Sequence, residues 1–165
     1  MALLEVQATE EAKQAQDGLI EALLSLGRPS VMVRREIGKE VRIGIATNFL
    51  AQRAGDGPKW TELRPYTIRE RLRLGYGASP MLYRTGKLFR SYTEEFDPDH
   101  SQRFRSTRTG WEMEFGSDDY RAGWHEGGTR RMPARPVLFL GHRAQDAISR
   151  EFNRLFNLIL EQAGY

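Results

Sequence analysis

Residues 30–54 have the sequence SVMVRREIGKEVRIGIATNFLAQRA, and the folding of this stretch decides the architecture of the chain. Large apolar side chains recur in it at every fourth residue, which places them on one face of a helix. They are Val33, Ile37, Val41, Ile45 and Phe49. Ser30, after Pro29, is a suitable N-cap, and Gly55 is a suitable stop. The pattern predicts one helix, about 36 Å long at the usual rise per residue.

The same stretch also contains a weaker hairpin pattern. Residues 31–33 and 41–45 are rich in valine and isoleucine, and Gly38-Lys39 between them could form a turn. In a helix, Gly38 and Gly44 each cost up to about 1 kcal/mol relative to alanine. We favour the helix because its apolar face and its two end signals agree.

The rest of the chain alternates short helical patterns with one hairpin. Helices are predicted at residues 9–26, at 65–74, at 86–92 with Thr85 as N-cap, at 120–126 with Ser117 or Asp118 as N-cap, and at 144–162. On the last of these, one apolar face is predicted from Ile148, Phe152, Leu155, Phe156 and Ile159. Together with the hairpin, these elements predict an α+β fold in one domain of 165 residues.

The hairpin is the clearest strand signal in the sequence. From residue 103 the apolar period changes to two, Thr109-Gly110 supplies a turn, and Trp111 begins a second alternating run. Arginines on the first strand would then face Glu112 and Glu114 on the second, which suits cross-strand neighbours.

The composition limits the function. The chain is 39% hydrophobic and 28% charged, as in an ordinary globular domain. Its net charge of +3 is too small by itself to indicate nucleic-acid binding. The lack of cysteine excludes disulfides and Cys-ligated zinc. No apolar run approaches the roughly 20 residues that span a bilayer. We therefore expect synthesis in the cytosol and no membrane partner.

Catalytic and metal-binding patterns are weak. His125 and Glu126 lie near Asp118 and Asp119, but their spacing matches no metal-ligand or acid–base motif. A structural role for His125 is the preferred interpretation, and a hydrolase that uses it with Asp118 or Asp119 is a minor alternative. We predict no enzyme activity, no cofactor and no metal.

Arginines and tryptophans are the more informative residues. The arginine clusters are Arg64, Arg69, Arg71 and Arg73; Arg103, Arg105 and Arg108; and Arg130, Arg131 and Arg135. Nearby glutamates could balance them on solvated faces, or they could form intersubunit ion pairs or contact a DNA backbone. Trp60, Trp111 and Trp124 are predicted core or interface anchors. This pattern favours an assembling subunit over an enzyme. The alternative is a small basic nucleic-acid-binding protein.

Three sequence blocks carry a family resemblance. They are residues 56–63 (DGPKWTEL) with Tyr66-Thr67, residues 80–91 (PMLYRTGKLFRS), and residues 120–128 (YRAGWHEGG) with residues 132–141 (MPARPVLFLG). In this order and spacing, the chain resembles the phage virion morphogenesis family, the tail completion proteins of Mu-like phages. The resemblance implies a non-enzymatic virion protein of the neck and tail, assembled in the host cytoplasm.

The resemblance also implies partners. Expected partners are further copies of the chain in a ring of six, the tail tube or tail terminator, the head connector proteins, and genomic DNA in the lumen. Predicted interface residues are Trp60, Arg69, Arg71, Arg73, Arg130, Arg131 and Arg135. Predicted structural-motif residues are Thr85, Gly86, Leu88, His125, Pro133 and Pro136. Arg103 and Arg105 are candidates for facing DNA.

Arg135 receives the most specific of these assignments. It stands between Pro133 and Pro136, which restrict the backbone on either side of it. A guanidinium binds a carboxylate with a planar fork of donors, which a lysine lacks. We therefore expect Arg135 to anchor a carboxylate of a neighbouring subunit or domain.

Overall fold

The computed structural model describes residues 30–78, 80–108 and 110–162. Within these ranges the chain forms five helices and one two-stranded sheet, in the order α1 Val31–Ala51, α2 Pro65–Arg73, α3 Lys87–Thr93, β1 His100–Thr107, β2 Gly110–Ser117, α4 Tyr120–Gly127 and α5 His142–Gln162. The predicted α+β fold is confirmed. The helix predicted at residues 9–26 lies outside the described residues. No helix in the described part of the chain is long and apolar enough to cross a membrane.

The long helix α1 is confirmed, and the hairpin alternative is wrong. Ser30 is its N-cap, and its hydroxyl accepts a hydrogen bond from the Val33 N–H at 3.3 Å. The helix ends at Ala51, three residues before the predicted limit, because Gln52 adopts a left-handed conformation with φ of 54°. The carbonyl of Gln52 then accepts from the Trp60 N–H at 2.7 Å, which turns the chain back along the helix end.

Close packing explains one of the two glycines in α1. A Cβ atom on Gly44 would lie 2.8 Å from the Cβ of Ala144 and 2.9 Å from a methyl of Leu140. Both distances are shorter than real Cβ contacts allow. Glycine therefore lets α5 and the chain before it approach α1 closely, and this offsets its poor helix propensity.

The apolar face of α1 runs through two core clusters. The larger cluster contains Val41, Ile45, Phe49, Trp60, Met81, Leu88, Tyr92, Ala122 and Val137. The smaller contains Val33, Ile37 and Leu155, with Trp111 and Met113 packed against it. Half-buried Ile148 on α5 packs against both clusters. The N-terminal half of α1 therefore holds the hairpin and α5, while its C-terminal half holds the remaining elements.

The hairpin has the predicted alternation and register. Phe104 lies opposite Met113, Arg103 opposite Glu114, and Arg105 opposite Glu112 in an antiparallel pair. The Arg105 guanidinium donates to the Glu112 carboxylate at 2.6 Å. The predicted pairing of arginine with glutamate across the strands is therefore confirmed.

Two predicted helix caps are wrong. Helix α3 is capped by Gly86, whose φ of +75° glycine adopts without strain, and not by Thr85. Helix α4 is capped by Asp119, whose carboxylate accepts from the Arg121 N–H at 3.0 Å, and not by Ser117 or Asp118. In both cases the observed cap lies one or two residues later in the chain than the sequence suggested.

Helix α5 begins two residues earlier than predicted. The Asp56 carboxylate accepts a hydrogen bond from the His142 N–H at 2.6 Å, at the first residue of the helix. A carboxylate at this end is favoured by the helix dipole. Of the predicted apolar face only Leu155 is buried, and Phe152 stays 37% exposed.

An extended segment that pairs with no strand of the described residues completes the core. Residues 133–141, here called the proline segment, pass α1 and bring Val137 to 1% exposure. The Asn48 side-chain amide donates to the carbonyls of Val137 at 2.8 Å and Phe139 at 2.6 Å. Its amide oxygen accepts from the Gly55 N–H at 2.9 Å. One buried asparagine thus joins α1 to two separate loops.

The fold predicts that Asn48→Ala is strongly destabilising. The change leaves two carbonyls and one N–H of the backbone without their partner, so we expect a loss of roughly 2–4 kcal/mol. Urea denaturation measures it. Gln145→Ala is the matched control, because Gln145 donates a side-chain amide to the neighbouring Leu140 carbonyl from an exposed position. Equal losses in the two variants would contradict the role given to Asn48.

Candidate assembly surface

Two of the predicted interface residues are used inside the subunit. Trp60 is 6% exposed, packs edge-on against Phe49 with ring centroids 6.3 Å apart, and donates its indole N–H to the Pro136 carbonyl at 3.1 Å. Arg135 is 4% exposed, and its guanidinium donates to the Thr61 carbonyl at 2.8 and 3.1 Å. Both residues bind the proline segment to residues 52–64, the connector that follows α1.

The partner predicted for Arg135 differs from the one observed in the subunit. Its guanidinium binds the backbone carbonyls of Thr61 and Glu62, the latter at 3.3 Å, and no carboxylate of the described residues lies within ion-pair distance. Its own N–H donates to the His125 carbonyl at 2.6 Å. Burial without a carboxylate lowers the pKa of the guanidinium. Arg135 is thus a structural clamp within the subunit, and a role toward a neighbour stays a prediction.

Glu126 holds the other side of the proline segment. One carboxylate oxygen accepts from the N–H groups of Val137 at 2.9 Å and Leu138 at 3.2 Å, and from the Tyr92 hydroxyl at 3.4 Å. Burial nevertheless raises the pKa of the Glu126 carboxyl above its ordinary value of 4.5. Burial also raises the pKa of the Tyr92 phenol, which therefore stays protonated and donates.

The remaining motif residues have distinct places. Leu88 is a core residue at 5% exposure, and Gly86 is buried at the start of α3. Thr85 is exposed, with its hydroxyl 3.4 Å from the Lys87 nitrogen. Pro133 is exposed at the start of the proline segment. The predicted motif therefore combines true core positions with surface ones.

His125 has no acid–base partner among the described residues. Its Nδ1 is buried without a hydrogen-bond partner in this part of the chain, and burial, with Arg135 and Arg121, lowers the pKa of the imidazole. The Asp119 carboxylate is bound instead by the Arg121 guanidinium, which lowers the pKa of Asp119 to about 2. Asp118 faces Arg103 at 4.0 Å. The pairing that the hydrolase alternative requires is not formed.

A pocket of about 280 Å³ opens between α2, α3, α4 and the proline segment. Four arginines and one histidine contribute to its wall, and we call it the arginine pocket. Its lining residues are Leu63, Thr67, Glu70, Arg71, Leu74, Leu82, Arg84, Thr85, Gly86, Leu88, Arg121, His125, Met132 and Arg135. The lining therefore combines apolar side chains with four arginines.

The electrostatics of the arginine pocket are unbalanced. Arg71 is 6% exposed and donates to the Pro80 carbonyl at 3.2 Å, while its Nε has no hydrogen-bond partner in the described chain. Burial and then repulsion by Arg84 lower the pKa of the Arg71 guanidinium. Among the described residues, Glu70 is the only carboxylate in the lining. The pocket is consequently suited to an anionic group.

The other predicted cationic residues lie on the outside. Arg69, Arg73, Arg130 and Arg131 are exposed. Arg103 and Arg105, the candidates for facing DNA, are exposed on β1, with side chains 71% and 70% accessible. Carboxylates on and beside β2 lie close to both of them, so the face of the hairpin is locally balanced in charge.

Several structural residues were missed by the sequence analysis. Asn48 is 3% exposed and Arg42 is 9% exposed on α1, where Arg42 binds Gln102 at 2.8 Å and Glu95 at 3.0 Å. Ser91 is fully buried and accepts from the Ser117 hydroxyl at 2.7 Å. A detectable signal existed for Asn48, because it stands one position from Phe49 on an otherwise apolar face.

The raised pKa of Glu126 predicts a pH-dependent stability difference. The folded state holds this proton more tightly than the unfolded state, so the free energy of unfolding falls as pH rises from about 4.5 through the raised pKa. Glu126→Gln can accept the same hydrogen bonds without the charge and should lose this decline. Urea titrations of both proteins between pH 4.5 and 8 measure the difference. Identical pH profiles would contradict the raised pKa of Glu126.

Glu126→Ala should instead lower the free energy of unfolding by roughly 2–3 kcal/mol, because the groups that donate to the Glu126 carboxylate are left unpaired.

Comparison with known proteins agrees with this arrangement of blocks. The family model described as the phage virion morphogenesis family matches residues 9–156. No curated protein and no solved structure matches the chain. The matched range includes all three sequence blocks and every described element except the last turns of α5. The chain belongs to the phage virion morphogenesis family.

Proposed function

We propose that this chain completes the head-proximal end of a phage tail and helps to form the neck that joins the tail to the head. Membership of the phage virion morphogenesis family, over residues 9–156, is the observation that carries the proposal. The family indicates a structural component of the virion rather than an enzyme. What we propose beyond family membership is the position at the neck, the completion of the tail and the assembly of copies into a ring.

The surface of the subunit supports an assembly role. Tyr120 and Trp124 form an edge-to-face pair on α4 with centroids 5.1 Å apart, yet they are 71% and 52% exposed. Phe139 on the proline segment is 62% exposed. Protein interfaces are enriched in aromatic and arginine residues. Exposed aromatics beside an arginine-lined pocket are therefore suited to contacts with other virion subunits.

We infer a closed ring of copies of this chain, with six as the expected number from the sixfold symmetry of tail tubes. A ring needs a heterologous contact, in which one surface of a subunit binds a different surface of the next. One ring face would contact the tail tube or tail terminator, and the other the head connector. The genome would pass through the centre.

The role predicts a defined defect in a phage that lacks this protein. A stop codon early in its gene should yield filled heads and complete-length tails that remain separate, because the joining surface is missing. Electron microscopy of the lysate measures this, and purified protein added to the lysate should restore joined particles. Lysates with normal joined particles, or without tails, would contradict the proposed step.

Arg103 and Arg105 provide a separate test of the passage of DNA. If β1 lines the channel, Arg103→Glu with Arg105→Glu should change genome retention or ejection, because attraction to phosphate becomes repulsion. Particle counts and DNA release assays measure the effect. The matched control reverses two exposed arginines of α5, Arg143 and Arg150. Loss of assembly in the β1 variant would assign β1 to a subunit interface instead.

A further inference from the structure

The arginine pocket contains cations that the subunit itself does not neutralise. Of its four arginines, only Arg121 has a carboxylate partner, Asp119. No carboxylate of the described residues lies within ion-pair distance of Arg71, Arg84 or Arg135. Arg84 instead stacks over the Tyr76 ring at 4.9 Å. Buried charges are normally paired, yet the buried Arg71 and Arg135 form no ion pair with the described residues, although Glu70 also lines the pocket.

A complementary feature lies on another part of the same subunit. Phe96, in the turn between α3 and β1, is 87% exposed, more than any other large hydrophobic residue in the described chain. Glu94, two residues earlier, is also exposed. We call residues 94–97 the acidic knob, because they combine an aromatic ring with carboxylates.

The acidic knob is held in place. Glu95 binds the buried Arg42 of α1 at 3.0 Å, and the Asp97 carboxylate accepts from the Asp99 N–H at 3.0 Å. The side chains on either side of Phe96 are thus tied to the subunit, while the ring between them is directed to solvent. The backbone that carries Phe96 is therefore restrained before binding, which reduces the conformational entropy lost when a partner buries the ring.

We propose that the acidic knob of one copy occupies the arginine pocket of the next copy, with Phe96 against the leucines of the lining and Glu94 paired with the exposed Arg84. This contact rests on the ring inferred above and names the surfaces that form it. The geometry of one subunit allows it, because the residues around Phe96 and those lining the pocket share no member. Each subunit can therefore give its knob to one neighbour and accept the knob of another.

Charge and apolar area both favour this occupant. The knob brings a carboxylate to cations that lack one, and it removes an exposed phenyl ring from water. Such a contact is heterologous by construction, so its repetition gives a ring or a filament and not a two-fold dimer. A DNA phosphate could pair with the arginines but would leave the lining leucines, such as Leu63 and Leu82, uncovered.

The test measures self-association of the purified full chain by sedimentation velocity. Phe96→Ser should weaken association by at least about 30-fold, as expected for loss of a central aromatic anchor. Leu50→Ser is the matched control, because Leu50 is also strongly exposed, at 73%, but lies on α1 away from both surfaces. It should change association by less than about threefold, in keeping with a position outside the interface.

A charge exchange tests the pairing itself. Arg84→Glu and Glu94→Arg should each weaken association, and the double variant should restore most of it, because the pair is re-formed with reversed polarity. Equal thermal melting temperatures would confirm that the variants are folded. Unaltered association in Phe96→Ser, or no restoration in the double variant, would overturn the contact.

The outcomes separate this contact from the proposed function. If the wild-type chain forms an oligomer and none of the variants weakens it, the knob-and-pocket contact is wrong. The stop-codon phage would still test the proposed role at the tail end independently. A wild-type chain that stays monomeric at its highest attainable concentration, or that binds duplex DNA through Arg84, also overturns the contact. If the charge exchange restores association but the stop-codon phage yields normal virions, the contact would be supported and the proposed tail role would be contradicted.

Discussion

The subunit depends on how one extended segment satisfies its backbone hydrogen bonds. Among the described residues no strand lies beside the proline segment, residues 133–141, so side chains pair several of its backbone polar groups. Asn48 from α1, Trp60 from the connector and Glu126 from α4 supply those partners, and Arg135 of the segment itself binds back to the connector. Three elements distant in sequence are therefore fixed by one stretch of nine residues. Loss of any single partner leaves a buried backbone group unpaired, which costs more than the bond itself contributes.

This constraint divides the arginines and aromatics into two groups. Trp60 and Arg135 serve the interior of the subunit, and their side-chain N–H groups donate to backbone carbonyls. Arg84 and the pair formed by Tyr120 and Trp124 face outward. The outward group lies next to the clamped segment, so the segment that completes the core also sets the position of the arginine pocket. Folding and assembly surfaces thus share a single scaffold.

The sequence predicted regular structure better than it predicted side-chain roles. The four-residue spacing in α1 and the two-residue alternation of the hairpin are local, and local periodicity specified both elements correctly. The end of α1 was placed too late because Gln52 takes a left-handed conformation that asparagine and glycine adopt more readily.

The partner of Arg135 could not be read from local pattern at all. Thr61 lies 74 positions away in the chain, and its carbonyl is presented to the guanidinium only by the complete fold. The same holds for Asp56, whose carboxylate accepts from the N–H of His142 at the start of α5, 86 positions away in the chain. In this subunit, long-range contacts between side chains and backbone decide the roles of the polar residues. The short blocks that carry the family resemblance include such residues but do not reveal their partners.

The unpaired cations of the arginine pocket connect the stability of the subunit to its assembly. Burial and then repulsion by Arg84 lower the pKa of the Arg71 guanidinium, so its charged form is disfavoured in the isolated subunit. In the proposed contact, the incoming carboxylate would offset this electrostatic cost and cover the leucines of the pocket together. Binding of this kind would stabilise the folded subunit by mass action, so subunits would become more stable as they assemble. At the proposed head–tail joint, each subunit would then be most stable when its neighbour is in place.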